Sequence, residues 1–276
     1  MKLLVVALFA IKLSTSLQQE VLKARQVDPG PFINVSAIVS QAPMAHEKAR
    51  GRHAPVAQQL AKLGPAAMLP MLEKLSTEQP AQVRRDLIEA LGLLADARSV
   101  PVLKTVLSDT NEDADTTRTT SEALARIGTD EAANHLVTTL DAAAPSSERA
   151  RAIVSGMGEL RKLRVTQAIA ARARSGDDAM VRVASRSLGR AGNAWAWKTL
   201  ADRSEEAKIR EEAARALVDA FAQHEGEARQ AASNALMVVD APSTPALIAK
   251  ARSSATPATR VALDALATRF ANNPTR

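Results

Sequence analysis

Val83-Arg84-Arg85-Asp86-Leu87-Ile88-Glu89-Ala90-Leu91-Gly92, continued through Ala95-Asp96 to Val100-Pro101-Val102-Leu103, is the stretch whose reading decides the fold. Leu87 and Leu91 stand four apart, so a helix brings both to one face. The same arrangement returns along the chain. With Leu91 as anchor, the equivalent residues are Leu60, Leu124, Met157, Leu188, Leu217 and Leu236. Four positions before these six stand Val56, Thr120, Ile153, Ala184, Ala213 and Ala232. The steps between successive anchors are 31, 33, 33, 31, 29 and 19 residues. A unit recurring at about thirty residues marks a stacked array, in which each unit buries its apolar face only against its neighbours.

Each unit reads as two helices joined by a tight turn. Gly64-Pro65, Ala95-Asp96, Gly128-Thr129, Gly192-Asn193 and Asp240-Ala241 follow their anchors by four to five positions, and these are helix-stop and N-cap residue types. Pro70 and Pro101 lie ten past their anchors, where an early helical position tolerates a missing N–H. Twelve past the anchors stand Leu72, Leu103, Leu136, Ile169 and Leu200, the predicted core contribution of the second helices. The last step of 19 residues leaves the pairing there open. One arrangement joins 206–222 to 224–238 and 243–253 to 256–270.

These features resemble the HEAT-like repeat family, in the short-repeat form also found in phycobilisome-lyase-type repeats. The resemblance is carried by Val83-Arg84, Ala90-Leu91-Gly92, Asp96 and Val100-Pro101-Val102-Leu103, with partial copies at Ile209-Arg210, Ala216-Leu217, Ala228-Arg229 and Ala235-Leu236. It covers residues 52–270 and implies an all-α, right-handed α-solenoid of about six to seven HEAT-like helical hairpins. It further implies that second helices line a concave face and that such proteins act mostly as binding scaffolds. Arg84, Arg210 and Arg229, each seven before its anchor, are expected to reach acids or carbonyls of adjoining repeats.

Composition narrows the chemistry. Apolar residues make up 46% of the 276, yet aromatics only 2%, so the core is built from Ala, Leu and Val, as in closely packed helices. With no cysteine, disulfides, thiolate metal sites, Cys nucleophiles and a lipid-modified N-terminal Cys are excluded. Met1-Lys2, the apolar run Leu3 to Ile11, and the small residues Ser14 and Ser16 read as a signal peptide over 1–16, cleaved near Ser16, which predicts export to a bacterial periplasm or the medium. The run is too short to span a bilayer. Residues 17–51, with Pro29-Gly30-Pro31, read as a flexible leader whose patch Phe32 to Val39 folds back on the first repeat, and 271–276 as a disordered tail. Net charge is +6, and removing 1–16 takes away two lysines and no acid, leaving +4.

Charge is unevenly spread. Residues 109–148 hold nine acids and two bases; residues 149–190 hold ten bases and three acids. Within the basic stretch, Arg161 and Lys162 occupy an inter-helix turn, with Arg164, Arg172 and Arg174 on the following helix. A cationic groove there would steer an acidic protein partner, whereas Arg is also an ordinary solvated helix former. Trp195 falls in a slot that other repeats give to Arg98, Glu131 and Arg164, so it is expected at the surface as an interface anchor; Trp197 is expected in the core.

His46, His53, His135 and His224 have no ligand spacing, and no phosphate-cradling loop or nucleophile elbow occurs. Glu112-Asp113-Ala114-Asp115 sits at a helix start, where acids cap and favour the dipole. No metal or cofactor is expected. The leading expectation is an exported, non-catalytic adaptor that binds a protein partner on its curved surface through Trp195 and the Arg161–Arg174 cluster. The alternative is a nucleic-acid-binding HEAT-like protein using the basic 149–190 region, since HEAT-like proteins include DNA-repair glycosylases. Two Trp and no Tyr make a poor base-stacking platform. Repeats shared with bilin lyases imply no lyase activity by themselves.

Overall fold

A computed structural model describes residues 16–24, 35–49 and 56–273. The predicted signal sequence lies outside them apart from Ser16, as do His53 and the patch residues before Val35. Among the described residues every regular element is helical, and no helix is long and apolar enough to cross a membrane. The chain forms two compact units, Met1–His135 and Leu136–Arg276.

In the first unit, α1 covers 16–24 and α2 Ser36–Ala49. Then come α3 (Val56–Ala61), α4 (Met68–Leu75), α5 (Ala81–Leu94), α6 (Val100–Ser108), α7 (Ala114–Ile127) and the start of α8 (Asp130–Ala142). The repeat pattern holds at the level of single side chains: Leu60, Leu87, Leu91 and Leu124 are fully buried. Thr120 is buried too, and can stand in the apolar slot because its hydroxyl donates to the Thr116 carbonyl at 2.7 Å. First helices stack on first helices, α5 lying between α3 and α7. A Cβ on Gly92 would come within 2.7 Å of the Ala123 backbone, so glycine permits this approach.

Turns fall where the stop residues predict. Ala95 and Gly128 end α5 and α7 in the left-handed conformation, at φ 52° and 73°. Asp96 then caps the next turn by accepting from the Arg98 amide, and Asp113 caps α7 by accepting from the Thr116 amide at 2.8 Å. Pro70 and Pro101 sit in the first turns of α4 and α6.

Part of the leader is ordered, which corrects the expectation of a flexible segment. Val39 and Ala42 of α2 are buried together with Val35 just before it, and α2 packs on α3. His46 Nε2 pairs with the buried Asp86 carboxylate of α5 at 2.7 Å. α2 thus covers a face of the first repeat, as a capping element of a stacked array does.

The second unit contains α9 (Glu148–Met157), α10 (Leu163–Ser175), α11 (Asp178–Ala191), the single turn α12 (Ala194–Trp197), α13 (Glu206–Gln223), α14 (Gly226–Val239), α15 (Thr244–Ser254) and α16 (Pro257–Ala271). Here the pairing open in the sequence is decided. α14, not α13, stacks on α11, while α13 stacks on α10. Both neighbours run parallel: Gly189 meets Ala235 and Gly192 meets Val239, while Leu163 meets Glu205 and Arg174 meets Asp219. α13 is therefore the second helix of the repeat that α11 begins, and residues 192–205 are an insertion between them. Leu217 is buried but belongs to the second-helix layer; the steps of 29 and 19 residues are one repeat, lengthened. α13 and α14 do pack together, as do α15 and α16, but as the second helix of one repeat against the first helix of the next.

Two further expectations are corrected. Leu200 is 36% exposed, because the second helix it was assigned to is the four-residue α12. Asn273, in the expected disordered tail, is buried, and its Nδ2 donates to the Met237 carbonyl at 2.9 Å, satisfying the end of α14. The arginine ladder forms as expected. Arg84 donates to the Leu75 carbonyl at 3.0 Å and from Nε to Glu112 at 2.8 Å. Arg210 donates to the carbonyls of Val239 and Asp240, and Arg229 to those of Phe221 and His224.

Leu103→Ala should cost about 2–5 kcal/mol, as a fully buried leucine does, whereas Leu200→Ala should stay within about 0.5 kcal/mol of the parent. Urea unfolding of the two variants checks this, and equal losses would restore Leu200 to the core.

Candidate functional site

The cations of residues 161–174 do not open onto one free groove. Arg172 Nη2 donates to the Leu140 carbonyl at 2.6 Å. Arg174 reaches α13, with Nη2 2.7 Å from Glu212 and Nε 3.3 Å from Asp219. Desolvation lowers the Arg174 pKa, but hydrogen bonds and charge from Glu212 and Asp219 outweigh it and hold the guanidinium above its ordinary value. Lys162 and Arg164 are half-buried and also engaged. Arg161 lies over the Trp197 ring, 5.9 Å from its centroid, with Nε buried and no hydrogen-bond partner. Arg172 and Arg174 thus join neighbouring helices.

Arg161 points instead to the insertion as the feature that organises this end of the unit. Asn193 Oδ1 accepts from the Trp195 and Ala196 amides, each at 3.0 Å, starting α12 at once after α11. Trp197 then turns inward to pack with Ala191, Ile209 and Leu163, and its Nε1 donates to the Ala191 carbonyl at 2.9 Å. At the far end of the insertion, Glu205 Oε2 accepts from the Leu163 amide at 3.1 Å, placing a carboxylate at the positive end of α10. With Trp197 locked inside, Trp195 two residues earlier is held out in solvent, 75% exposed. The structure thus places both tryptophans where the repeat slots put them.

A second feature was not singled out in the sequence. Between α11 and α14 lies a groove of about 540 Å3. Its floor is made of small residues, Gly189, Ala231 and Ala235; its rim carries Arg182, Arg186, Arg190 and Glu227. Arg182 pairs with Glu227 across the groove. Arg190 turns away toward α9, bonding the Ser155 carbonyl and standing 3.7 Å from Glu159. Arg186 makes no hydrogen bond or ion pair with any described residue and is exposed. The signal was present: three arginines spaced by four share one face of α11. What could not be seen was the helix opposite.

Two further histidines pair within the fold: His135 lies beside Ser108 and His224 bonds Asp178 at 2.8 Å. Desolvation, then the Lys104 charge, lowers the His135 pKa.

Residues 68–155 match the family model described as HEAT repeats, which bears out the HEAT-like resemblance over that stretch. HEAT repeats generally mediate protein interaction. No curated protein matches the sequence. Among solved structures, human deoxyhypusine hydroxylase in complex with glycerol is similar over 96% of this chain and 99% of that one, at 19% identity and a TM-score of 0.35. That likeness is too low to carry an argument about activity, but it corrects the expectation of a non-catalytic chain: the neighbour is an enzyme, so a helical-repeat architecture does not exclude catalysis. It does not make this chain catalytic.

One ion cluster fixes the exit from the insertion. Glu206 is buried and accepts from Arg203 and Arg210 at 2.6 and 2.8 Å. Desolvation raises its pKa, but the two arginine hydrogen bonds outweigh this and leave it below its ordinary 4.5. A depressed folded pKa gives stability that is present above the unfolded value and lost as pH falls through the folded one. At pH 7 Glu206→Gln should therefore melt lower than the parent, by roughly 1 kcal/mol in stability. The gap should close as pH drops below 4.5. Melting curves across pH check this, and a gap that ignores pH would refute it.

Proposed function

We propose that this protein is an exported scaffold that binds another protein through the surface formed by Trp195 and the α11–α14 groove. The observation that carries the reading is Trp195. It is one of only two tryptophans, is 75% exposed, and its backbone is held by the Asn193 cap and by the buried Trp197 two residues on. Large, rigid aromatic side chains presented in this way are the residues that most often dominate binding energy. Holding the backbone beforehand lowers the ordering cost of association. Asn193, which caps the helix carrying Trp195, also lines the groove, so the two features are contiguous. The family supports an interaction role in general terms.

Export rests on the N-terminal sequence: a positive start, a short apolar run and small residues near Ser16. Protein recovered from the periplasm or medium is expected to begin near Leu17. Recovery of chains that begin at Met1 and remain in the cytoplasm would refute export.

For binding, Trp195→Ala should reduce the cross-linked partner recovered from that fraction by about tenfold, equivalent to ~1.4 kcal/mol. The melting temperature should not change. Unchanged recovery of every partner by the variant would overturn the role given to Trp195.

A further inference from the structure

We propose that the groove between α11 and α14 binds an extended acidic segment of the partner protein, with a carboxylate on Arg186 and an apolar side chain against Gly189, Ala231 and Ala235. This rests on the interaction reading above and gives that partner a chemistry.

Charge comes first. The groove is rimmed by three arginines and a single carboxylate, Glu227. Glu227 is matched by Arg182, and Arg190 is held by the Ser155 carbonyl and Glu159. That leaves Arg186 as an exposed guanidinium, at the middle of the arginine row, with no hydrogen bond or ion pair among the described residues. An ionised carboxylate is the group that best satisfies a guanidinium, in a paired, planar contact. A basic segment would meet the uncompensated Arg186 and is rejected by the same field.

The floor sets the second requirement. A Cβ on Gly189 would stand 3.3 Å from the Ala235 Cβ, so the two helices approach closely there and leave no large side chain between the rims. Beyond them Val238 remains 43% exposed. Such a floor stabilises an apolar side chain laid over it. Amides from Asn193, Gln230 and Asn234 stand along the walls. The side-chain oxygens of Asn193 and Asn234 already accept within the chain, from the Trp195 and Ala196 amides and from Gln230 and Arg269, so their amino groups are what these walls offer the carbonyls of an extended peptide. The volume of about 540 Å3 holds a few residues. No aromatic side chain lines the groove, so bases would find nothing to stack on, and a peptide is favoured over a nucleic acid.

The test uses the full chain and three labelled peptides: alternating Glu and Leu, alternating Gln and Leu, and alternating Lys and Leu. Fluorescence anisotropy should show the Glu–Leu peptide binding at least about tenfold tighter than either of the others. Arg186→Glu should weaken the Glu–Leu peptide by about tenfold or more and favour the Lys–Leu peptide, with helicity and melting unchanged. Ala231→Leu, which fills the floor, should weaken it to a similar degree; if that variant misfolds, Arg186→Glu still decides the matter. Equal binding of the Glu–Leu and Lys–Leu peptides, or an affinity untouched by Arg186→Glu, would overturn the proposal. So would tighter, Arg186-dependent binding of a single-stranded oligonucleotide. If Trp195→Ala loses its partner while Arg186→Glu leaves the peptide unaffected, the groove assignment fails alone and the interaction reading stands.

Discussion

Within each unit, consecutive first helices lie so close that the residues between them must be small, and the remaining architecture follows from that approach. Gly92 faces the Ala123 backbone, Gly189 faces Ala235, and a Cβ on Gly158 would strike Ser187 and the Arg190 side chain. Close parallel stacking of this kind buries the anchor and the residue four before it on every copy, from Val56–Leu60 to Ala232–Leu236. It explains why a chain so poor in aromatic residues still forms a dense interior: Ala, Leu and Val fill narrow seams that a ring would force apart.

Stacking also creates a polar problem that the arginines resolve. Every hairpin exposes the last carbonyls of one helix and the first amides of another. Arg84, Arg172, Arg190, Arg210 and Arg229 bond carbonyls at or near helix ends. Asp96, Asp113, Ser147, Asp177 and Asn193 accept from the amides that open the next helices. The basic character of residues 149–190 is therefore largely architectural, since a guanidinium can satisfy several acceptors at once.

The insertion at 192–205 is where the repeat departs from its own rule, and the candidate surface lies beside it. Trp197, on the one-turn α12 of the insertion, packs inward between α11 and α13, with Arg161 stacked over its ring and Glu205 capping α10. The segment is held firmly enough to keep an exposed tryptophan in place. Next to it the parallel pair α11–α14 leaves an open, arginine-rimmed groove. A break in periodicity thus coincides with a surface where a large apolar side chain, a cation unpartnered among the described residues and a concavity adjoin.

Much of this was legible in the residues. Periodicity alone identified the helices, their buried positions, the turns at Ala95, Gly128 and Asp240, the roles of Arg84, Arg210 and Arg229, and the opposite fates of Trp195 and Trp197, because each depends on spacing within one or two neighbouring helices. Leu200 and Leu217 were misassigned for the same reason: a local pattern cannot distinguish a short repeat from a long one with an insertion, since both place apolar residues four apart. Only the tertiary structure decided that α14 lies on α11 and α13 on α10. It alone turned Arg182, Arg186 and Arg190 from a stripe on one helix into the rim of a groove. A groove has two walls, and which helix forms the second is set by packing across 45 or so residues, a distance over which hydrophobic spacing carries no information.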